Sequence, residues 1–250
     1  MKVMSFNILC GGHPRERYWT KRKGMVKDTI RKYMPDTFGL QEAHYRWMRY
    51  LNRHLKDTYD YVGVGRDDGK REGEFSPVFY KKDKYKVIDK GNFWLSETPE
   101  KPGLGWDAKC VRICSYVVLE DKATGEKFAH FNTHLDHVGD VARSEGARLI
   151  ADRADMFKGI PTIVTGDFNV NPSSGAYKTI TAAGFVDART LDPNANDVDS
   201  YNGFDEHPAE MIDFVFIKYG FKVRSCTTIT DKIDGKYISD HYPVLAELEF

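Results

Sequence analysis

Apolar residues fall in the chain at two alternating periods, and those periods predict the elements. Residues 2–9 (KVMSFNIL) read as a buried strand that Gly11 and Gly12 break. Residues 20–34 place Val26, Ile30 and Tyr33/Met34 at helical spacing, and Pro35 stops that helix. A short apolar strand over residues 37–41 leads into a helix over 43–54. The Gly- and charge-rich stretch GVGRDDGKREGE, between Tyr61 and Glu74, predicts an exposed, mobile loop. Strands are predicted over 77–80, 85–94, 111–120 and 127–134, separated by turns such as KKDK and KATG.

Beyond them, Ala147, Ile150, Ala154 and Phe157 mark a helix over 141–157. A strand over 161–165 and a short helix over 176–183 follow, and residues 191–208 are polar and loop-like. Strands over 211–217, 221–229 and 243–250 close the chain. No short period repeats and no Pro/Ser-rich linker divides the sequence, so residues 1–250 are expected to form a single mixed α/β domain.

Composition narrows the picture. Hydrophobic residues make up 41% and aromatic residues 13% of the 250, enough for a large core and inconsistent with disorder. Lys plus Arg and Asp plus Glu each total 37, so the chain lacks the basic excess of proteins that bind a long polyphosphate mainly by charge. The four cysteines, Cys10, Cys110, Cys114 and Cys226, are too few and scattered for a disulfide framework. Cys110 and Cys114 fall in the strand-like run KCVRICSYVVL, where packing is the expected role. With neither a signal-peptide pattern nor a long apolar stretch, the expectation is a cytoplasmic monomer without stable membrane insertion, secretion remaining open if the chain is trimmed.

The chemistry concentrates where predicted strands end. Asn7 follows VMSF, Glu42 follows FGLQ, His134 follows FAHFNT, and Asp167 and Asn169 follow IVTG. Asp213 lies in the strand MIDFVFI, and Asp240-His241 precede PVLAEL. Loops beyond strand ends are where α/β proteins build their sites. Carboxylates and an amide carbonyl are hard donors that suit Mg²⁺ or Mn²⁺ better than zinc, and histidines carry protons or pair with phosphate oxygens. Alone, GDFN reads as an Asx turn and Glu42 as a helix-dipole partner. Asp213 is different: a carboxylate within an apolar strand needs a partner, and His241 is the obvious one.

Together the pieces MSFNI, LQE, FNTHLDH, GDFN, MIDFVF and SDHYPV resemble the endonuclease/exonuclease/phosphatase superfamily, in its order, from residue 4 to residue 244. The resemblance implies a four-layer α/β/β/α sandwich: two packed, mainly antiparallel mixed sheets flanked by helices. It implies a divalent-metal-dependent phosphate-ester hydrolase, with Glu42 as principal metal ligand, Asn7 beside it and Asp240 as a further metal-site carboxylate. By the same resemblance Asp167 orients or deprotonates the attacking water, and Asn169 holds a phosphate oxygen or a metal. His241, oriented by Asp213, contacts the scissile phosphate, and His134 binds phosphate or assists the leaving group. Tyr80 resembles a phosphate-contacting tyrosine and Arg112 a basic residue aimed into the cleft.

One departure from the pattern is Leu9, where some nucleases have an aspartate; this favours one ion over two. A closer resemblance is to a bacterial branch carrying FWLSETPEKPG, GWDA and NTHLDHVG, of unassigned substrate. Two substrate classes follow. A phosphodiester, nucleic acid among the candidates, would use Arg66, Lys70 and Arg71 of the loop; this nuclease-type reading is the first expectation. A small-molecule or lipid-headgroup phosphate suits the neutral net charge and NFWLSETPEKPGLGW as a pocket wall.

Overall fold

The apolar run that opens the chain becomes β1 (Lys2–Asn7), buried along all but its first residue. Alternation sends Met4 and Phe6 to one face and Val3, Ser5 and Asn7 to the other. The computed structural model that shows this describes residues 1–11, 17–205 and 210–250. Gly12 and residues 206–208 of the polar segment lie outside the described residues.

After β1 come α1 (Trp19–Tyr33), β2 (Thr37–Gln41), β3 (Ala43–His44) and α2 (Tyr45–Leu55). Then follow β4 (Tyr59–Val62), β5 (Glu74–Phe75), β6 (Val78–Lys81), β7 (Tyr85–Trp94), β8 (Ile113–Asp121) and β9 (Lys127–His134). The chain continues through α3 (Asp140–Asp155), β10 (Thr162–Asp167), α4 (Gly175–Ala182), β11 (Val186–Asp187) and a 3₁₀ turn at Ala188–Leu191. Last are β12 (Asp213–Lys218), β13 (Lys222–Thr228), β14 (Lys232–Ile233), β15 (Lys236–Tyr237) and β16 (Val244–Glu249).

Two six-stranded sheets result, in the orders β13-β16-β1-β2-β6-β4 and β11-β12-β10-β9-β8-β7. Each holds one parallel pair, β1–β2 and β9–β10, among antiparallel neighbours. A parallel pair needs a long crossover, and α1 and α3 supply the two. Between the sheets pack Val3, Val78, Val117, Phe128, Ile163, Val215 and Ala246. On the outer face of the first sheet, Met4, Phe6 and Phe38 meet Val26 and Ile30 of α1 and Trp47 and Leu51 of α2. On the outer face of the second, Phe131, Val164 and Phe214 meet Ala147 and Ile150 of α3 and Ile180 of α4. Three apolar layers thus hold four layers of structure, each fully buried large side chain contributing about 1.5–3 kcal/mol. This is the α/β/β/α sandwich.

The departures from sequence expectation are local. α2 begins at Tyr45 because Ala43–His44 pairs with Glu74–Phe75, so the charged loop between Tyr61 and Glu74 is pinned at its end. β10 runs on to Asp167, two residues beyond the expected strand. β8 begins at Ile113, which leaves Cys110 in the preceding loop while Cys114 is fully buried in the core. Tyr59–Val62 and the hairpin turning at Asp234-Gly235 are strands that sequence periodicity did not reveal. Met34 ends α1 in a left-handed conformation, its N–H bonded to the Ile30 carbonyl at 2.9 Å, immediately before Pro35. No helix among the described residues is long and apolar enough to cross a membrane.

Candidate active site

The C-terminal ends of both parallel pairs reach the same end of the sandwich, and the polar strand-end residues meet there. In the second sheet His134, Asp167 and Asp213 sit side by side, because Asp167 is in register with His134 on β9 and with Asp213 on β12. In the first sheet Asn7 lies opposite Gln41, and Glu42 follows directly. A cavity of about 440 Å³ opens over this line, walled by Glu42, Arg112, His134, Asp167, Asp240 and His241 among others.

Asp167 is the centre. Its Oδ2 accepts a hydrogen bond from Asn7 Nδ2 at 2.9 Å and lies 3.5 Å from His134 Nε2 and 3.8 Å from His241 Nε2. Its Oδ1 accepts the Asn169 N–H at 2.9 Å. Burial, and then the neighbouring Asp213 carboxylate, push the Asp167 pKa up to about 7. The acid is therefore poised to exchange a proton near neutrality.

His241 is in the opposite state. Burial works against its charge, but Asp213 and Asp167 outweigh it and raise its pKa to about 10. The contact to Asp213 Oδ2 is made by Nδ1 at 2.7 Å. Tyr201 stacks edge-on against the ring, centroids 5.1 Å apart. His134, by contrast, is held neutral by burial and by the positive charges of Arg112 and Arg66. Two histidines in one cavity thus carry different charges.

Glu42 adopts a left-handed backbone (φ 60°), as does Asn169 (φ 51°), a conformation costly for a non-glycine residue and common at functional sites. Its two oxygens accept from Asn7 Nδ2 at 3.1 Å and from the Cys10 N–H at 2.9 Å. Burial opposes its ionisation, yet these bonds keep its pKa below the usual value. Asp240, half-buried in the same cavity, is pushed up by desolvation and by the Glu42 charge. Two carboxylates crowded in one cavity form a donor set that a hard divalent cation would relieve. Asn7 bridges Glu42 and Asp167 through its amide N–H₂, while its Oδ1 accepts the Leu9 N–H at 3.0 Å.

Arg112 is 5% exposed and faces the cavity. Its Nη2 approaches His137 Nδ1 at 3.2 Å and its Nε lies 3.6 Å from Asp136, but Nε and Nη1 have no hydrogen-bond partner among the described residues. A buried guanidinium nitrogen left open this way has the chemistry to receive an anionic oxygen. Asn169 also lines the cavity, anchored by Nδ2 on the Leu135 carbonyl at 2.9 Å.

Tyr80, expected to reach the phosphate, is placed elsewhere and is not among the residues that wall the cavity. Its ring packs in the inter-sheet core with Val3, Val78 and Leu119, and its hydroxyl donates to Asp60 at 3.4 Å. On β6 it pairs with Thr37, at the strand end opposite the one that leads to Glu42. Sequence reasoning also missed residues that the fold delivers. Glu74 lines the cavity, paired with Arg66 at 2.6 Å and 3.9 Å from His134 Nδ1, and burial raises its pKa. In sequence it is one acid among several in a charged loop. Arg22 sits one turn before Val26 on the core-facing side of α1, where its charge argues against burial, yet it is 1% exposed and donates to the carbonyls of Ile8, Leu9 and Ile238, holding together the loops that flank Glu42 and Asp240.

Comparison with known proteins agrees with this architecture. The family model of the Endonuclease/Exonuclease/phosphatase family matches residues 4–241. A solved endonuclease/exonuclease/phosphatase from Bacteroides vulgatus is 40% identical over 99% of this chain and 98% of its own, with a TM-score of 0.94. The mannosyl-6-phosphatase of Bacteroides thetaiotaomicron is 34% identical, covers 100% of both chains, and has a TM-score of 0.93. The 3'-5'-exoribonuclease subunit Ccr4 of the CCR4-Not complex from Saccharomyces cerevisiae is 22% identical over 99% of this chain, which spans 38% of that relative's length. The chain belongs to the endonuclease/exonuclease/phosphatase family.

Proposed function

We propose that this member of the endonuclease/exonuclease/phosphatase family hydrolyses a phosphate monoester of a compact, sugar-like alcohol by attack of water on phosphorus. The observation that carries the monoester is Arg112, a buried guanidinium whose Nη1 has no hydrogen-bond partner among the described residues, in the same cavity as Asp167 and His241. A monoester presents three terminal phosphoryl oxygens and up to two negative charges; a diester presents two oxygens and one charge. A second fixed cation beside imidazolium His241 answers that difference. The likeness to a mannosyl-6-phosphatase along the whole of both chains supports the same reading.

In this reading Asp167 takes a proton from the attacking water, a role suited to a carboxylate whose pKa lies at about 7. His241 and Arg112 neutralise the phosphoryl oxygens, and Asn169 fixes one of them. Neutral His134 offers a ring N–H to the leaving oxygen. Asp213 keeps His241 oriented and charged. Glu42 and Asp240 would hold Mg²⁺ or Mn²⁺, which when bound supplies Lewis-acid stabilisation of the phosphoryl and leaving oxygens.

The sequence put a phosphodiester first, and two observations still favour it as the second reading. Arg66 lines the cavity and Arg71 lies 5.0 Å over the Tyr45 ring, so part of the charged loop does stand at the site. Ccr4 is named as an exoribonuclease. A panel of mannose 6-phosphate, other sugar phosphates, bis-p-nitrophenyl phosphate and short RNA, each with Mg²⁺, Mn²⁺ or EDTA, separates the two. Preference for RNA or the diester over every monoester defeats the proposal.

A further inference from the structure

One step below the site, between the sheets, lies a second polar layer that the reaction does not use directly. Strand alternation places Ser5 beneath Asn7, Asn132 beneath His134 and Thr165 beneath Asp167, with Gln41 immediately before Glu42. All four are fully buried. Gln41 Nε2 donates across the gap to Asn132 Oδ1 at 2.7 Å and approaches Ser5 Oγ at 3.3 Å. Thr165 Oγ1 donates to the same Asn132 oxygen at 2.9 Å. Asn132 Nδ2 then donates to the Leu40 and Pro77 carbonyls at 2.8 and 3.0 Å, on the opposite sheet's side.

Behind this group, His130 contacts Thr165 Oγ1 through Nε2 at 2.8 Å and Thr37 Oγ1 through Nδ1 at 2.7 Å. Burial drives its pKa down to about 3, so it is neutral and has one ring proton. With that proton on Nε2, His130 donates to Thr165 and leaves the Thr165 hydroxyl proton for Asn132, while Thr37 gives its one hydroxyl proton to Nδ1 in place of the Phe79 carbonyl 2.8 Å away. The layer also has no slack. A Cβ on Gly39 would stand 2.1 Å from Asn132 Oδ1 and 2.3 Å from Thr165 Oγ1, so only glycine lets the sheets close on this network.

Apolar side chains set a sheet separation but tolerate sliding; directional hydrogen bonds in a dry gap fix both spacing and register. The site residues above this layer are split between the sheets: Asn7 and Glu42 come from one, His134 and Asp167 from the other. We propose that Thr165, Asn132 and Gln41 are positioning residues that fix the two halves of the catalytic site against each other. This rests on the reading that the cavity hydrolyses a phosphate ester. Loss of the layer lets Asp167 drift from Asn7, and displacements of about 1 Å at a reacting group cost on the order of 100-fold in rate.

The test is Thr165→Val, which keeps the shape and removes the hydroxyl, beside Thr165→Ser, which keeps the hydroxyl. With mannose 6-phosphate, or whichever panel substrate wild type turns over, Thr165→Val is expected to lower kcat about 10- to 100-fold with KM nearly unchanged. Thr165→Ser recovers most of that loss. Leu248→Ala, an inter-sheet core change at the end of β16 that lies beside Met1 and away from Asn7, serves as the comparison: it lowers Tm without the fall in kcat. A crystal structure of Thr165→Val should show the 2.9 Å Asn7–Asp167 bond lengthened beyond hydrogen-bond reach. Wild-type kcat in Thr165→Val, or an unmoved Asn7–Asp167 bond, overturns the proposal. If wild type hydrolyses no phosphate ester, the functional reading has failed and the crystallographic distance alone decides the positioning.

Discussion

His241 binds Asp213 through Nδ1 at 2.7 Å and turns Nε2 toward Asp167, 3.8 Å away, so one ring connects a buried strand carboxylate to the centre of the cavity. Asp213 lies on β12 and His241 in the loop before β16, so the contact joins strands of different sheets. The pair should act as a unit. Asp213→Asn and His241→Asn are each expected to cripple the same step, and the double variant to be little worse than the worse single one. Additive losses in a double-mutant cycle on kcat/KM would contradict the coupling.

The pH dependence follows from two raised pKa values. Asp167 must be ionised to accept a proton, so kcat/KM should rise as pH passes about 7; a bound cation moves that limb lower. His241 must stay protonated, so the rate should fall as pH approaches about 10. Asp213→Asn should bring the alkaline limb down in pH. The sign for stability is the same: a histidine raised by its partner contributes stability fully present below about pH 6.5 and lost as pH rises through about 10. Rate profiles and chemical denaturation of both proteins across this range measure the two effects.

Glu42→Gln should weaken Mn²⁺ binding by at least about 10-fold and remove most turnover. The fold should survive, because glutamine still accepts the Cys10 N–H and the change costs about 1 kcal/mol. Titration calorimetry with Mn²⁺ checks the first and thermal unfolding the second. Unchanged affinity with activity retained would remove Glu42 from the metal site.

Asp167→Asn should lower kcat by about 10²- to 10⁴-fold while KM stays near wild type, since proton acceptance is realised only in the transition state. A rise in KM alone would make Asp167 a binding residue.

Arg112 should separate the substrate classes. Arg112→Met is expected to reduce kcat/KM for a monoester by about 100-fold and to affect bis-p-nitrophenyl phosphate much less. Lysine should restore little, because one ammonium does not reproduce the planar fork. Equal losses on both esters would assign Arg112 a role that does not read the third oxygen.

Much is legible in the sequence itself. Helix and strand periods located the major elements, since burying one face imposes a repeat of its own on each. Asp213 announced a partner because an unpaired carboxylate in an apolar strand is too costly, and an element's polar exception is as informative as its pattern. The six motif pieces implied the sandwich, which periodicity alone did not.

What remained for tertiary structure was every question of neighbours. Tyr80 and Arg112 both sit in or beside strands of similar pattern, yet one packs between the sheets and the other walls the cavity, because register and strand order decide which end of a sheet a residue reaches. Glu74 looked like one more loop acid until the β3–β5 pairing carried it to His134. Asn7 was visible as a site residue, but its bridging of Glu42 and Asp167 depends on two sheets closing over the Gly39 gap. Sequence determined which faces are buried and which chemical groups stand at strand ends, because those follow from local period and residue type. Only the packed sheets decided which groups meet, because distance across a gap is set by residues far apart in the chain.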